Sequence, residues 1–276
     1  MIGIVFIDVD GTLVGENGVP ECVWEEVEAL KARGVHLVLT TGRPGRGLAL
    51  EYAKRLAPEG LHIFESGAVV LALTQDPHAP PKRPLLVEPL PPEAALEIQA
   101  LAQKRGLPLE AYTASGGFYI PEDPPLLRLH QRLLGLKAEI RPLEEIEEPL
   151  VRLQILAEPG RWEEVKAFST SAALHTATSP KMPGVLFASF TRWGVSKRSA
   201  ARFVAEAYGL TLKEAAMVGD GENDLELLQA VGLGIAMGNA PEPVKKAAHK
   251  VVAPVEACGL AEALAQIRTL PRSGIA

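Results

Sequence analysis

Ile2-Gly3-Ile4-Val5-Phe6-Ile7 is an apolar run that stops abruptly at Asp8-Val9-Asp10-Gly11-Thr12-Leu13. Apart from Gly3, the run has no turn residue, the pattern of a strand buried on both faces at the centre of a parallel sheet. In an extended chain, residues two apart point the same way, so Asp8 and Asp10 are both directed at one place beyond the strand's carboxyl end. Open parallel sheets bind their ligands at that end. Gly11 lets the backbone turn there without side-chain bulk. Two like charges so close are costly unless a cation or a proton lies between them. A lone Asp-x-Asp reads equally well as a solvated turn, so the rest of the chain must decide.

A helix is expected from Pro20 to Arg33, with Val23, Val27 and Leu30 at helical spacing and Gly34 at its end. The strand Val35–Thr40 runs into Thr41-Gly42-Arg43-Pro44, a second helix extends to about Leu56, and a third strand starts at Leu61. Strand and helix in alternation predict a doubly wound α/β half. The rhythm breaks at the proline-rich segment 76–84. Beyond it a helix over Pro92–Arg105, a hairpin around Ser115-Gly116-Gly117 and paired strands around residues 179–184 form an α+β module. The α/β rhythm resumes near Gly194 with a helix capped by Ser196, a strand at 215–218 that ends in Gly219-Asp220-Gly221-Glu222-Asn223-Asp224, and further strand–helix pairs to Ile267. One discontinuous domain, 1–79 with 190–276, is therefore expected to carry an inserted domain at 80–189.

Asp220 and Asp224 sit in a loop that can turn both carboxylates toward one cation. An EF-hand loop is excluded, because Leu225 stands where a glycine is needed and no twelfth-position ligand follows; helix capping by Asp220 is the other reading. The Thr41 hydroxyl and neighbouring backbone N–H groups at a helix start suit phosphate oxygens. Gly42 to Gly47 is not a Walker A loop, since no Lys-Ser/Thr follows Gly47.

In this order, DxDGT, TGR, Lys197 at a helix start and GDGEND, the motifs resemble those of the haloacid dehalogenase superfamily of phosphohydrolases. With Glu65-Ser66-Gly67-Ala68 and Ala236-Met237-Gly238-Asn239-Ala240, the whole chain is similar to the Cof-type subfamily with a type IIB cap. The resemblance implies a Rossmann-like doubly wound parallel sheet core with an inserted α+β cap. It implies Asp8 as nucleophile, forming an aspartyl phosphate, and Asp10 as general acid and base. It implies Mg²⁺ held by Asp8, the Asp10 backbone carbonyl, Asp220 and Asp224, and phosphoryl contacts from Val9, Thr41, Gly42, Lys197 and Asn223. Relatives usually have Asn where Ser66 stands and a small residue in place of Arg198. The expected activity is Mg²⁺-dependent hydrolysis of a small phosphorylated metabolite such as a sugar phosphate; a phosphomutase and a non-catalytic phospho-accepting module are the alternatives. A receiver-type module lacks an acid/base two residues after its acceptor, so Asp10 counts against the last.

With 47% hydrophobic and 22% charged residues, net charge −6 and no basic run, the composition speaks against a nucleic-acid partner. No stretch approaches the length of a membrane span. Cys22 and Cys258, far apart and without metal-ligand neighbours, read as reduced cytosolic thiols. With no signal-peptide pattern at the N-terminus, a cytoplasmic protein is expected; the oligomeric state is not legible. Asparagine is confined to Asn17, Asn223 and Asn239 while proline reaches 23, a balance that fits a thermophile's protein. Arg43, Arg152, His175 and Arg192 are read as solvated or structural rather than as substrate contacts.

Overall fold

The computed structural model describes residues 2–78, 80 and 82–270. Its elements are β1 (Ile4–Ile7), α1 (Cys22–Ala32), β2 (His36–Leu39), α2 (Gly47–Leu56), β3 (Leu61–Phe64), β4 (Val69–Leu73), β5 (Lys82–Val87), α3 (Pro92–Arg105), β6 (Leu109–Thr113), β7 (Phe118–Ile120), α4 (Pro125–Leu134) and β8 (Glu139–Ile140). There follow β9 (Leu150–Ala157), α5 (Trp162–Lys166), β10 (Ala173–Ser179), β11 (Met182–Thr191), α6 (Lys197–Ala207), β12 (Ala215–Gly219), α7 (Leu225–Ala230), β13 (Leu233–Ala236), α8 (Glu242–Ala247), β14 (Lys250–Val251) and α9 (Gly259–Arg268).

The apolar run around β1 is an interior strand, between β12 and β2, of a parallel five-stranded sheet in the order β14-β13-β12-β1-β2. All four residues of β1 are fully buried, which is what its unbroken apolar sequence requires. The crossovers place α1 and α9 on one face, where Val23, Val27 and Leu30 meet Leu260, Leu264 and Ile267 in one core, and α6 on the other. In α6 the buried residues are mostly alanine (Ala200, Ala201 and Ala205, with Val204), which suits close approach of the helix to the sheet.

The third strand departs from the simple doubly wound pattern. β3 touches β2 through a single parallel bridge, Thr40↔Ile63, and then pairs antiparallel with β4. β5 follows residue 80, the expected start of the insertion, yet pairs with β4 from Leu73↔Lys82 to Val69↔Val87 and so completes this small sheet. Residues 79 and 81, at that expected boundary, lie outside the described residues. The inserted elements build a mostly antiparallel six-stranded sheet, β10-β11-β9-β6-β7-β8, whose separate core includes Ile98, Leu153, Ile155 and Phe190. The hairpin expected at 115–117 joins β6 to β7, and the pair expected around 179–184 is β10 with β11.

The cysteine expectation is overturned. Cys22 and Cys258 form a disulfide with an S–S distance of 2.05 Å. Their separation of 236 residues hides a short path in space. Cys22 opens α1, Cys258 directly precedes α9, and the two helices pack side by side, with Arg268 paired to Glu26 at 2.8 Å. No helix among the described residues is long and apolar enough to cross a membrane.

Candidate active site

Asp8 and Asp10 leave the carboxyl end of β1, Thr41 that of β2, and Asp220 that of β12. Adjacent strands of a parallel sheet end together, so this register alone collects the three motifs. Gly11, at φ 82°, belongs to the turn after Asp10, and a Cβ there would fall 2.1 Å from Asp220 Oδ2. Only glycine allows the two loops to approach so closely. Asn239 tightens the junction, since its Nδ2 donates to the Gly11 carbonyl (2.8 Å) and to Asp220 Oδ2 (3.1 Å).

Asp8, Asp220 and Asp224 each offer an oxygen within 4.8 Å of the others. Lys197, first residue of α6 and held there by the reciprocal Ser196–Ser199 cap, donates to Asp8 Oδ1 (2.5 Å) and Asp224 Oδ1 (2.7 Å). The other oxygen of Asp224 accepts from the backbone N–H groups of Asp220 and Gly221. Burial, then repulsion from Asp224, push Asp8 up to about 7 despite Lys197. Asp220 is raised well above the carboxylate range by burial and by its two acidic neighbours. Lys197 is held charged: burial opposes its charge, but Asp224 and Asp8 outweigh it. One lysine does not neutralise three clustered carboxylates, two of them buried. A hard cation with oxygen ligands would fit this donor set and relieve the repulsion.

Asp10 is separate from that acidic group. Its carboxylate takes a bidentate fork from Arg43, Nε to Oδ2 at 2.8 Å and Nη2 to Oδ1 at 2.7 Å. The hydroxyl of Ser179, at the tip of the β10–β11 hairpin, donates to Oδ1 at 2.7 Å. The pairing of β10 with β11 shifts register between Ala177 and Ser179. Burial alone would raise Asp10, but Arg43 and Ser179 prevail and hold the carboxyl below its usual range.

The expected phosphate donors line the same hollow. The backbone N–H groups of Val9 and Gly42 make no hydrogen bond among the described residues. Thr41 is buried, and its hydroxyl accepts from the Arg43 backbone N–H, so its own proton is free for another partner. Asn223 lines the cavity with Asp220 and Gly221. Ser66, where relatives usually carry Asn, has φ 57°, and Glu65 before it has φ 52°. Asn tolerates that left-handed conformation better than most residues, which accounts for the usual preference. The strained pair interlocks two loops: Ser66 N–H donates to the Thr41 carbonyl, Glu65 N–H to that of Arg43.

Of the four residues read as solvated or structural, three are not solvated. Arg43 and Arg152 are buried and His175 is half-buried, and all three line the cavity, whereas Arg192 is exposed and pairs with Glu88. Ser179, Glu110 and His130 carried no sequence signal, because an isolated serine or histidine in an α+β insertion has no motif around it. The cavity bounded by both parts measures about 60 Å³.

A model of haloacid dehalogenase-like hydrolases matches residues 5–264. A Haemophilus influenzae protein that carries a phosphatase name is 27% identical over 263 residues, covering 95% of this chain and 96% of its own length. A phosphoglycolate phosphatase of Methanopyrus kandleri is 26% identical over 259 residues, 91% of each chain. Among solved structures, a subclass IIB sugar phosphatase superposes with a TM-score of 0.79 at 23% identity, over 96% of this chain and 98% of that one. At that identity the likeness concerns the fold.

Proposed function

From the premise that this chain belongs to the haloacid dehalogenase-like hydrolases, and within them to the Cof-type phosphoric monoester hydrolases, we propose that it hydrolyses a small phosphorylated metabolite with the help of Mg²⁺. The observation that carries this reading is the convergence of Asp8, Asp220 and Asp224 beside the free N–H groups of Val9 and Gly42.

In this reading Asp8 attacks phosphorus and becomes phosphorylated, and water then releases phosphate from it. Val9, Thr41, Gly42, Lys197 and Asn223 hold the phosphoryl oxygens as charge develops on them. Asp8, Asp220, Asp224 and the Asp10 carbonyl would hold Mg²⁺, which when bound offsets the charge between nucleophile and phosphate. Asp10 gives a proton to the leaving oxygen and later takes one from water. In the arrangement seen here its carboxylate is ionised and fully engaged, so the acid role requires Arg43 and Ser179 to yield as substrate enters. The inserted sheet acts as a cap over the core, whose motion admits substrate and then excludes water from the site. We place the protein in the cytoplasm; the disulfide is compatible with this if the source is a hyperthermophile, whose intracellular proteins keep such bonds.

The test is phosphate release from phosphate esters with and without Mg²⁺. Activity that EDTA abolishes and Mg²⁺ restores, and that Asp8→Asn removes while circular dichroism is unchanged, is the expected result. Undiminished turnover in Asp8→Asn would end the nucleophile assignment. A phosphomutase would instead return an isomeric ester and little free phosphate.

A further inference from the structure

Among the described residues, one ion pair joins the inserted sheet to the core with both partners buried. Arg152 of β9 and Glu65, which directly follows β3, lie 2.7 Å apart, Nε to Oε2, and their side chains are 1% and 3% exposed. Other polar contacts between the two parts are part-buried or exposed, such as Ser179 with Asp10, Thr176 with Glu222, and Lys181 with the Glu16 carbonyl.

The guanidinium is held by the cap. Its Nη1 donates to Gln154 Oε1 (2.5 Å) and Ser189 Oγ (3.2 Å), and the group lies 3.9 Å from the centre of the Tyr112 ring. Side chains from β9, β11 and β6 thus fix it in place, and Nε is the atom that reaches across to the core.

Glu65 belongs to a loop that supports the phosphate-binding groups. Its N–H donates to the Arg43 carbonyl and that of Ser66 to the Thr41 carbonyl, both at 3.1 Å. On the other side, Gly67 lies so close to the start of α6 that a Cβ would fall 2.2 Å from the Ser196 carbonyl oxygen. One short loop therefore abuts both the Thr41–Gly42 turn and the residue before Lys197. The left-handed conformation of Glu65 and Ser66 persists only where the surroundings impose it, and Arg152 is the part of those surroundings that comes from the cap.

Charge makes this contact depend on closure. With the cap lifted, water solvates both groups; with the cap down, each is dry and relies on the other. Burial holds the Glu65 carboxyl above its usual range even beside Arg152, so little else around it stabilises its charge.

We propose that Glu65 is a positioning residue for phosphate capture: by pairing with Arg152 it latches the closed cap to the loop that sets the Thr41–Gly42 turn and Lys197, so that cap closure and phosphate binding are coupled. The proposal deepens the phosphatase reading and rests on it for the identity of the ligand.

Charge-neutral variants test it. Gln carries its amide nitrogen at the same place along the side chain as Arg carries Nε. Glu65→Gln combined with Arg152→Gln therefore keeps a hydrogen bond across the junction without charge, while Gln154 Oε1 still accepts from Ser189 (3.0 Å). Each single variant strands one buried charge, and does so only in the closed form. Calorimetric titration of the Mg²⁺-loaded proteins with inorganic phosphate is expected to show binding weakened about tenfold or more in each single variant, and the double variant binding more tightly than either. Side chains that only fill space would give losses that add. A smaller loss in either single variant, or a double variant that binds no more tightly than the singles, overturns the latch. If the wild type does not bind phosphate, the phosphatase reading falls, and small-angle scattering decides the latch alone: both single variants should be more expanded than the wild type and the double variant, and equal dimensions would refute it. Circular dichroism checks each fold. Where a single variant does not fold, hydrogen exchange in the wild type decides: phosphate should slow exchange of the Glu65 and Ser66 amides, and unchanged rates overturn the proposal.

Discussion

His62 should make the stability of this protein fall steeply between pH 6.5 and 4. The side chain is fully buried in β3, where Nδ1 accepts the Leu39 backbone N–H (3.0 Å) and Nε2 lies 2.9 Å from the Ala57 carbonyl. The first contact requires a bare Nδ1, so Nε2 holds the proton and donates, and the neutral ring satisfies both neighbours. Burial lowers His62 from 6.5 to about 4. A depressed histidine leaves the unfolded chain binding more protons than the folded one between those two values. Its contribution is complete above pH 6.5, declines by up to about 1.4 kcal/mol per pH unit on acidification, and levels off near pH 4. Between pH 7.5 and 4.5 the loss is about 2.5 kcal/mol. Asp8 pulls the other way in the metal-free protein, because a carboxyl raised to about 7 gains a proton in the folded state as pH falls. His175 adds a loss of its own. Both cancel in a difference between wild type and His62→Gln, in which an amide can accept from Leu39 and donate to Ala57 without titrating. Urea unfolding of both proteins in saturating Mg²⁺ should show the wild type losing about 2.5 kcal/mol relative to the variant over that range. A difference constant to within about 0.5 kcal/mol would refute the reasoning, and so would an imidazole signal for His62 that titrates near 6.5. Because the ring holds the end of β2, the strand that leads into Thr41, the variant should also show where acid inactivation begins.

Reduction of the Cys22–Cys258 bond, or Cys22→Ser, should lower the unfolding free energy by about 2–5 kcal/mol, since the bond closes a loop of 236 residues; an unchanged urea midpoint after confirmed reduction would contradict this. Asp10→Asn should cost roughly 10²–10⁴-fold in turnover, with a burst of nitrophenolate and phosphate trapped on the protein when the leaving group is weakly basic; equal slowing of both steps without a trapped phosphoenzyme would leave Asp10 as a metal-site residue only. Arg43→Lys replaces a bidentate fork with a point charge and should reduce turnover of alkyl phosphates more than binding of inorganic phosphate; equal losses would mean that Arg43 acts on phosphate directly.

What the sequence reveals here is what a local pattern can encode. β1 is legible because a strand buried on both faces must be apolar throughout, and the motif loops because a carboxyl end that bends toward a ligand needs Asp, Gly and Thr at fixed offsets. The hairpin at 115–117 and the cap of α6 at Ser196 follow from glycine and serine chemistry within a few residues. β3 lies where the sequence predicts it, but its main partner is not legible, because a short, mostly apolar run cannot say whether that partner runs parallel or antiparallel; that depends on β4, which turns back after the left-handed Glu65 and Ser66. The disulfide is hidden for a related reason, since distance along the chain carries no information about which helices share a sheet face. Arg43, Arg152 and Glu110 show the limit most clearly. Each charged side chain in isolation belongs by default to a solvated face. Each is buried here because a partner from elsewhere in the chain meets it: Asp10 33 residues away, Glu65 87 residues away, and His130 20 residues away. A buried charge is tolerable only as part of such a set. The core machinery, built from residues adjacent along one sheet edge, can therefore be read from short motifs, while the buried pairs of the cap emerge only when distant parts of the chain have come together.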